Sequence, residues 1–195
     1  MRALTDPLTG LPNRRGFERG MAGLRTPDRD AALIAIDLDH FKRVNDTFGH
    51  GAGDYVLQKV AMVLRGNLRN RDLLSRLGGE ELAVLLPETD IELARMISER
   101  LRRAIENVEI LWDGKSINIT SSFGVAVAPG TMPMAELFAL ADAALYDAKS
   151  GGRNRVVFAG EAMKLPESSM LAAIPKKVGQ PLADRRRSSN EPHAA

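Results

Sequence analysis

The sequence has no cysteine among its 195 residues. Disulfide bonds and thiolate metal sites are therefore excluded, and a reducing compartment such as the cytoplasm is expected. The sequence also lacks any apolar run near the roughly 20 residues that a membrane-spanning helix needs. Its first residues do not have the apolar stretch of a signal peptide. These absences predict a cytoplasmic protein without a membrane span.

Net charge is also small, at +2. Residues 161–195 hold six Lys/Arg and four Asp/Glu, so residues 1–160 carry equal numbers of positive and negative side chains. Binding to duplex nucleic acid needs a basic surface. The balance of charge therefore argues against nucleic acid as the main partner.

The last 35 residues differ in composition from the rest. They contain four prolines, a run of three arginines at 185–187 and no sustained apolar period. Such composition is typical of segments that cannot build a core. We predict one folded domain over residues 1–160 and a disordered tail over 161–195. The arginine run is interpreted as solvated rather than as a site for anionic lipid or nucleic acid.

Hydrophobic periodicity predicts the order α-β-α-α-β-β-α-β-β-α-β, a mixed α/β sheet domain. Asn13 is the expected N-cap of the first helix, and the apolar run that ends at Asp37 suits a buried central strand. The other expected elements include a helix over 14–24, a hairpin of 73–77 and 82–86, an alternating strand over 117–127, a helix over 134–149 and a strand over 156–158.

Two pairs of carboxylates stand at the predicted strand ends. Asp37 and Asp39 follow the central strand, and Glu80 and Glu81 lie at the Gly-Gly tip of the hairpin. Carboxylates that converge at one sheet edge need a cation, and Mg²⁺ or Mn²⁺ suits such oxygen ligands. That arrangement fits metal-assisted attack of a hydroxyl on a nucleotide phosphate. On spacing alone, the alternative stays open that the aspartates cap the next helix and the glycines only form a tight turn.

Five motifs in a fixed order resemble the GGDEF family of diguanylate cyclases, over about residues 5–158. They are DPLTGLPNRR at 6–15, DLDHFKRVNDTFGH at 37–50 with Gly53 and Asp54 after it, RLGGEEL at 76–82, SFGVA at 122–126 and ADAALYDAKSGGRN at 141–154. Leu82 stands where the family signature has phenylalanine. We expect Leu82 to point into the core, so that the change is one of size only.

This resemblance implies a palm-like α/β (α+β) domain, similar to nucleotide cyclases, with a mixed, mainly antiparallel sheet flanked by helices. It implies that the chain condenses two GTP into cyclic di-GMP and two pyrophosphates. Because each domain of the family binds one GTP, turnover requires a homodimer, and an upstream sensor protein is a further expected partner.

The resemblance also implies roles for the carboxylates. Asp37, Glu80 and the backbone carbonyl of Leu38 would hold Mg²⁺ or Mn²⁺, two ions per active site. Glu81 would orient the 3′-hydroxyl or aid its deprotonation. Which glutamate acts as the base stays open, because a metal ion can itself lower the pKa of the hydroxyl.

Further residues of the motifs would bind the nucleotide. Asn45 and Asp54 would read guanine, although helix capping is the alternative for both. His50 would line the nucleotide site or else stabilise a turn. The triphosphate would be held by Lys42, Lys149 and Arg153. Lys42 would also be a catalytic residue. Without the resemblance, Lys149 and Arg153 would be ordinary cations at a helix C-terminus.

A second site for product is implied by Arg69 and Asp72, which match the R-x-x-D inhibitory motif of the family, and by Arg100. A solvated charged loop is the alternative. For the whole chain, two other functions stay open: a catalytically weak GGDEF domain that acts as a receptor for GTP or cyclic di-GMP, and a different metal-dependent nucleotidyl transferase.

Overall fold

The computed structural model describes residues 3–160, so the predicted tail at 161–195 lies outside the described residues. The elements in this range are α1 Arg14–Gly20, β1 Asp30–Leu38, α2 Phe41–Phe48, α3 His50–Gly66, β2 Leu73–Gly78, β3 Glu81–Leu86, α4 Ile91–Glu106, β4 Leu111–Trp112, β5 Lys115–Ser116, β6 Ser121–Pro129, α5 Met134–Ser150 and β7 Val156–Phe158. None of the helices within residues 3–160 is long and apolar enough to cross a bilayer.

Five of the strands form one sheet in the order β2-β3-β1-β6-β7. Every pair is antiparallel except β6 and β7, which are parallel. The mixed, mainly antiparallel sheet with flanking helices confirms the predicted fold class. β1 lies at the centre and is buried on both faces, which explains its continuous apolar run.

Side chains of alternate strand residues pack into two cores, one on each face of the sheet. Ile34 and Ile36 of β1 pack with α3 and α4 on the first face, where Leu82 is also buried as expected. Leu33 and Ala35 pack with Phe17 of α1 and Leu137 of α5 on the second face. The sheet is therefore a central layer between α2, α3 and α4 on one face and α1 and α5 on the other.

Two predicted boundaries are wrong. The first helix ends at Gly20 rather than at 24, and residues 21–24 form turns. Its predicted N-cap is confirmed, because Asn13 accepts a hydrogen bond from the backbone of Gly16 at 3.0 Å. The strand predicted over 117–127 starts only at Ser121, because its partner β1 ends at Leu38 opposite Ser121. Ile117 and Ile119 before it are buried but lie outside any strand.

The predicted order has two strands between the last two helices, whereas the structure has three, because a small hairpin of β4 with β5 precedes β6. This hairpin packs Trp112 against Tyr55 of α3, with ring centroids 5.6 Å apart. A Cβ at Gly51 would also contact the Trp112 ring. The hairpin therefore braces the first turns of α3, where His50 and Asp54 lie.

Candidate active site

Asp37 and Glu81 face each other across two neighbouring strands. They are register partners in the β1–β3 ladder, and Ser122 of β6 is the partner of Asp37 on its other side. Directly opposite residues share a sheet face, with Cβ atoms about 5 Å apart. Asp37 is only 8% exposed. Two carboxylates thus lie side by side at one end of the sheet.

Glu80 lies in the tight turn between β2 and β3, next to Glu81. Gly79 of this turn has φ +45°, a conformation that glycine adopts readily. An irregularity in the ladder between Arg76 and Gly78 shapes the turn further. The turn brings a second glutamate to the sheet end that already carries Asp37 and Glu81.

Arg76 ties the turn to the N-terminal segment. Its Nε donates to the carbonyl of Gly79 at 2.9 Å, and its Nη1 donates to both carboxylate oxygens of Asp6 at 3.0 and 3.1 Å. Asp6 also accepts from the backbone N–H and the hydroxyl of Thr9 at 2.8 and 2.6 Å. The first and third motifs of the sequence are therefore one hydrogen-bonded unit.

Loss of the Asp6 carboxylate is expected to reduce stability in a pH-dependent way. Burial raises the pKa of Asp6, but hydrogen bonds from Thr9 and Arg76 outweigh it and lower the pKa below its ordinary 3.8. A lowered folded-state pKa stabilises the protein above pH 3.8, and that contribution is lost as the pH falls through the folded value. Asp6→Asn should cost about 2 kcal/mol at pH 7 and make thermal unfolding less sensitive to acid.

Glu88→Gln is the matched control, because Glu88 pairs with Arg71 at 3.2 Å with both side chains about half exposed. An exposed pair contributes little, so this variant should change stability by less than about 0.5 kcal/mol. Equal melting temperatures of the Asp6 and Glu88 variants at pH 7 would contradict the structural role of the Asp6–Arg76 pair.

Lys149, in the last turn of α5, forms an ion pair with Asp37. Its Nζ lies 2.8 Å from Oδ2 of the carboxylate. This contact shows that the end of α5 reaches the sheet end that carries the carboxylates. Lys149 is therefore more than a cation that interacts with its own helix terminus.

Asp39 faces the same end of the sheet but has other partners. Its carboxylate accepts from the hydroxyls of Thr120 and Ser122, both at 2.7 Å, and from the backbone N–H of Asn154 at 3.0 Å. The helix that follows begins without a side-chain cap. The capping alternative for Asp37 and Asp39 is therefore wrong.

Asn45 and Asp54 lie where α2 meets α3. A Cβ at Gly53 would collide with Oδ1 of Asn45, so the Asn45 amide lies directly against the α3 backbone beside Asp54. Asp54 is exposed, and so is His50 at the start of α3. The N-cap of α3 is Gly49, without a side-chain cap, so capping of α3 by Asn45 or Asp54 is also wrong.

The remaining predicted phosphate ligands lie near the sheet end. Lys42 is exposed in the first turn of α2, four residues after the end of β1 at Leu38. Arg153 is exposed in the loop after α5. It has φ +62°, which is unusual for a residue with a side chain.

Sequence reasoning gave no role to two charged residues beside Glu81. Arg14 and Asp142 line the same cavity of about 130 Å³ as Glu81, between α1, α5 and the sheet. Burial raises the pKa of the Asp142 carboxyl, and Arg14 opposes that shift only in part. Both residues occur in the quoted motifs, but only the packing of α1 against α5 brings them to Glu81.

A metal ion at this site would have few carboxylate ligands. Within residues 3–160, no group of three or more His, Cys, Asp or Glu side chains is close enough to hold an ion. Both oxygens of Asp39 are already used by hydrogen bonds, which leaves Asp37 and the turn glutamates. Mg²⁺ typically uses one or two carboxylates and completes its shell with water and phosphate oxygens, so the available residues fit it.

The predicted product site forms the connection between α3 and β2. Arg69 and Asp72 line a cavity of about 230 Å³, and the Asp72 carboxylate accepts from the Arg69 backbone N–H at 2.8 Å. Arg100 of α4 donates to the carbonyl of Asn67 at 2.8 Å, at the start of the same connection. All three residues therefore belong to one region, and Arg100 braces it.

Comparison with known proteins gives one family. The chain matches the family model described as "Diguanylate cyclase, GGDEF domain" over residues 3–155. It is 46% identical to the diguanylate cyclase DgcP of Pseudomonas aeruginosa over 159 residues, which is 80% of this chain and 24% of DgcP. Three further curated relatives are also matched over less than half of their length.

Solved structures agree with this comparison. The diguanylate cyclase SiaD of Pseudomonas aeruginosa, crystallised in complex with its activator SiaC, is 38% identical with a TM-score of 0.76, over 80% of this chain and 62% of that chain. The coiled coil and GGDEF domain of DgcB from Caulobacter crescentus, in complex with c-di-GMP, is 32% identical with a TM-score of 0.73, over 80% and 85% of the two chains.

Proposed function

The chain belongs to the GGDEF diguanylate cyclase family, and from that premise we propose that it condenses two GTP into cyclic di-GMP and two pyrophosphates. One observation carries the proposal. Asp37 and Glu81 lie opposite each other at the end of the sheet, and Lys149 reaches Asp37 at 2.8 Å. Carboxylates and a cation from three separate motifs thus meet at one place, as phosphoryl chemistry requires.

The metal ligands would be Asp37, Glu80 and the backbone carbonyl of Leu38. These oxygen donors suit Mg²⁺ or Mn²⁺, two ions per active site. When bound, such ions supply positive charge to the phosphate oxygens and lower the pKa of a bound hydroxyl. Asp37 is held for this role by strand pairing on both sides, and Arg76 fixes the turn that carries Glu80.

Glu81 would orient the attacking 3′-hydroxyl. Its place on β3 is rigid, because it pairs with Asp37 on one side and with Gly78 on the other. A carboxylate accepts the hydrogen bond of the hydroxyl and directs its oxygen toward the phosphorus. Either glutamate can receive the proton in this arrangement.

Guanine would be recognised by Asn45 and Asp54, and His50 lies beside them at the start of α3. A carboxylate accepts from the N1–H and the 2-amino group of guanine, whereas adenine lacks this pair of donors. The triphosphate would be bound by Lys42, Lys149 and Arg153. Their positive charges would offset the negative charge of the departing pyrophosphate.

Two copies of the domain must face each other, because each binds one GTP. We propose a cytoplasmic homodimer that a sensor or activator protein brings together. The relatives support this idea: SiaD was crystallised with an activator, and the DgcB chain joins a coiled coil to its GGDEF domain. The activity of the isolated domain should therefore rise steeply with protein concentration.

Incubation of the protein with GTP and Mg²⁺, followed by chromatographic separation of the nucleotides, tests the proposal. Cyclic di-GMP and pyrophosphate in a 1:2 ratio are expected. A mononucleotide or hybrid cyclic product would instead indicate a different nucleotidyl transferase. Binding of GTP or cyclic di-GMP without consumption of GTP at high protein concentration would indicate a receptor.

Product inhibition is part of the same proposal, through Arg69, Asp72 and Arg100. An arginine fork suits phosphate oxygens and the acceptor edge of guanine. Arg69→Ala should weaken cyclic di-GMP binding by at least about tenfold and relieve inhibition of turnover, since a lost charged hydrogen bond costs roughly 1.5–3 kcal/mol. Isothermal titration calorimetry with cyclic di-GMP measures the first effect.

Arg71→Ala is the control for this prediction. Arg71 belongs to the same loop, but it pairs with Glu88 and does not line the cavity. The affinity of Arg71→Ala for cyclic di-GMP should stay within about twofold of that of the unaltered protein. Unchanged product affinity in Arg69→Ala would leave the loop as an ordinary charged connection.

A further inference from the structure

The loop that carries Arg153 has an unfavourable backbone. Gly152, Arg153 and Asn154 have φ values of +114°, +62° and +44°. Glycine adopts such values readily, whereas two successive residues with side chains do so only when their surroundings hold them. Contacts on both sides of the loop must therefore stabilise this conformation.

Asp39 holds the loop from the end of the sheet. Asp39 is 4% exposed, and its carboxylate accepts the Asn154 backbone N–H at 3.0 Å. The hydroxyls of Thr120 and Ser122 hold the same carboxylate at 2.7 Å each. A carboxylate with three donors is fixed in orientation, so the Asn154 backbone is fixed with it.

Helix α4 holds the loop from the other side. The Asn154 side-chain oxygen accepts from Arg102 Nη1 at 2.7 Å, and its Nδ2 donates to Glu106 Oε1 at 2.7 Å. Arg102 also donates to Glu106 Oε2 at 2.9 Å, which closes the ring of contacts. The Asn154 amide therefore uses both its oxygen and its nitrogen in linking the loop to α4.

Arg102 is itself fixed. Its guanidinium donates to both oxygens of Glu99 at 3.0 and 2.8 Å, and its side chain is 12% exposed. Hydrogen bonding to Glu99 raises the pKa of Arg102 above its ordinary value. The α4 side of the contact with Asn154 is thus a rigid, fully charged pair and not a flexible surface arginine.

We propose that Asp39, Asn154 and Arg102 are positioning residues that hold Arg153 in place for the triphosphate of GTP. This inference rests on the proposed function, in which Arg153 binds phosphate. Lys149 and Arg153 flank the same turn, in which the Arg153 backbone N–H donates to the Ala148 carbonyl of α5 at 3.0 Å. Asp37 holds Lys149, and the contacts of Asn154 hold the Arg153 backbone.

Asn154→Gly tests this role. Glycine keeps access to the left-handed backbone, so the loop can retain its conformation after the side-chain contacts with α4 are removed. We expect affinity for GTP to fall about tenfold while affinity for GMP changes little, because GMP lacks the outer phosphates. Arg103→Ala is the matched control, because Arg103 also pairs with Glu99 but has no hydrogen bond to the loop. This variant should retain its affinity for GTP and for GMP.

A double-mutant cycle with Arg153→Ala distinguishes positioning from direct binding. If Asn154 acts through Arg153, Asn154→Gly should weaken GTP binding no further in the Arg153→Ala background. Additive losses of affinity would overturn the inference, and so would equal losses for GMP and GTP.

Hydrogen exchange supplies a readout that needs no nucleotide. The backbone amides of residues 153–155 should exchange faster in Asn154→Gly than in the unaltered protein and in Arg103→Ala. Unchanged protection would overturn the inference even if the chain binds GTP. An unaltered protein that binds neither nucleotide would refute the proposed function, and the exchange result would then still show whether Asn154 holds the loop.

Discussion

Glu80→Gln should lower cyclic di-GMP formation by about 10³-fold or more, which corresponds to roughly 4 kcal/mol of lost transition-state stabilisation. The substitution keeps the size of the side chain but removes the charge that the proposed metal ligation requires. Folding should be preserved, because fewer negative charges then crowd the sheet end beside Asp37 and Glu81. Product formation by chromatography and the melting temperature measure the two effects.

Glu88→Gln again provides the control. Glu88 lies just beyond the opposite end of β3 from Glu81, and the exchange of one exposed glutamate for glutamine should leave turnover unchanged. Binding of Mn²⁺ in the presence of a non-hydrolysable GTP analogue adds a second measurement, and it should weaken only in Glu80→Gln. Turnover within tenfold of the unaltered protein in Glu80→Gln would remove Glu80 from the active site.

Gly124→Ala should destabilise the fold by about 3 kcal/mol, which corresponds to a fall of about 10 °C in Tm. Gly124 lies on the second face of the sheet opposite Ala35, where α5 packs directly on it. An added Cβ would collide with the Ala141 carbonyl and the Leu145 amide of α5. Because these are backbone atoms, the helix itself would have to move.

Displacement of α5 should also reach the active site. Lys149 lies one turn beyond Leu145 on α5 and contacts Asp37 at 2.8 Å, so a shift of the helix away from the sheet would lengthen this ion pair. We therefore expect turnover to fall in Gly124→Ala even below its melting temperature. Turnover and thermal unfolding, measured on the same preparation, check both expectations.

Gly66→Ala is the matched control, with the same added methyl group in open space. Apart from its chain neighbours and the backbone of its own helix, nothing lies within 4 Å of a Cβ at Gly66, in the last turn of α3. Alanine is the better helix former, so this variant should be neutral or more stable by up to about 1 kcal/mol. Similar melting temperatures for the two variants would contradict close packing of α5 on Gly124.

The fold could be predicted largely because burial leaves a periodic pattern. β1 is buried on both faces and has a continuous apolar run, and Asn13 is a cap whose partner lies three residues away. The pattern was wrong over residues 117–120. Ile117 and Ile119 are buried in the core although they lie outside any strand. Alternation of apolar and polar residues indicates that alternate side chains are buried, whether or not the backbone forms part of a sheet.

The sequence alone determined which chemical groups this protein has for its function and the order in which they occur. Motifs along the chain contain the carboxylates, the amide and the cations, and their order identifies the family. Local spacing also determines that Glu99 can pair with Arg102 and Arg103, because residues three and four positions apart are neighbours on a helix.

Only the tertiary structure decided which of those groups work together. Asp37 and Asp39 are two residues apart and chemically identical, yet Asp37 pairs with Lys149 whereas Asp39 anchors the loop of Asn154. The partners lie more than 100 positions away along the chain. Their selection depends on strand register and on how closely α5 packs on the sheet, and neither property is encoded in local spacing.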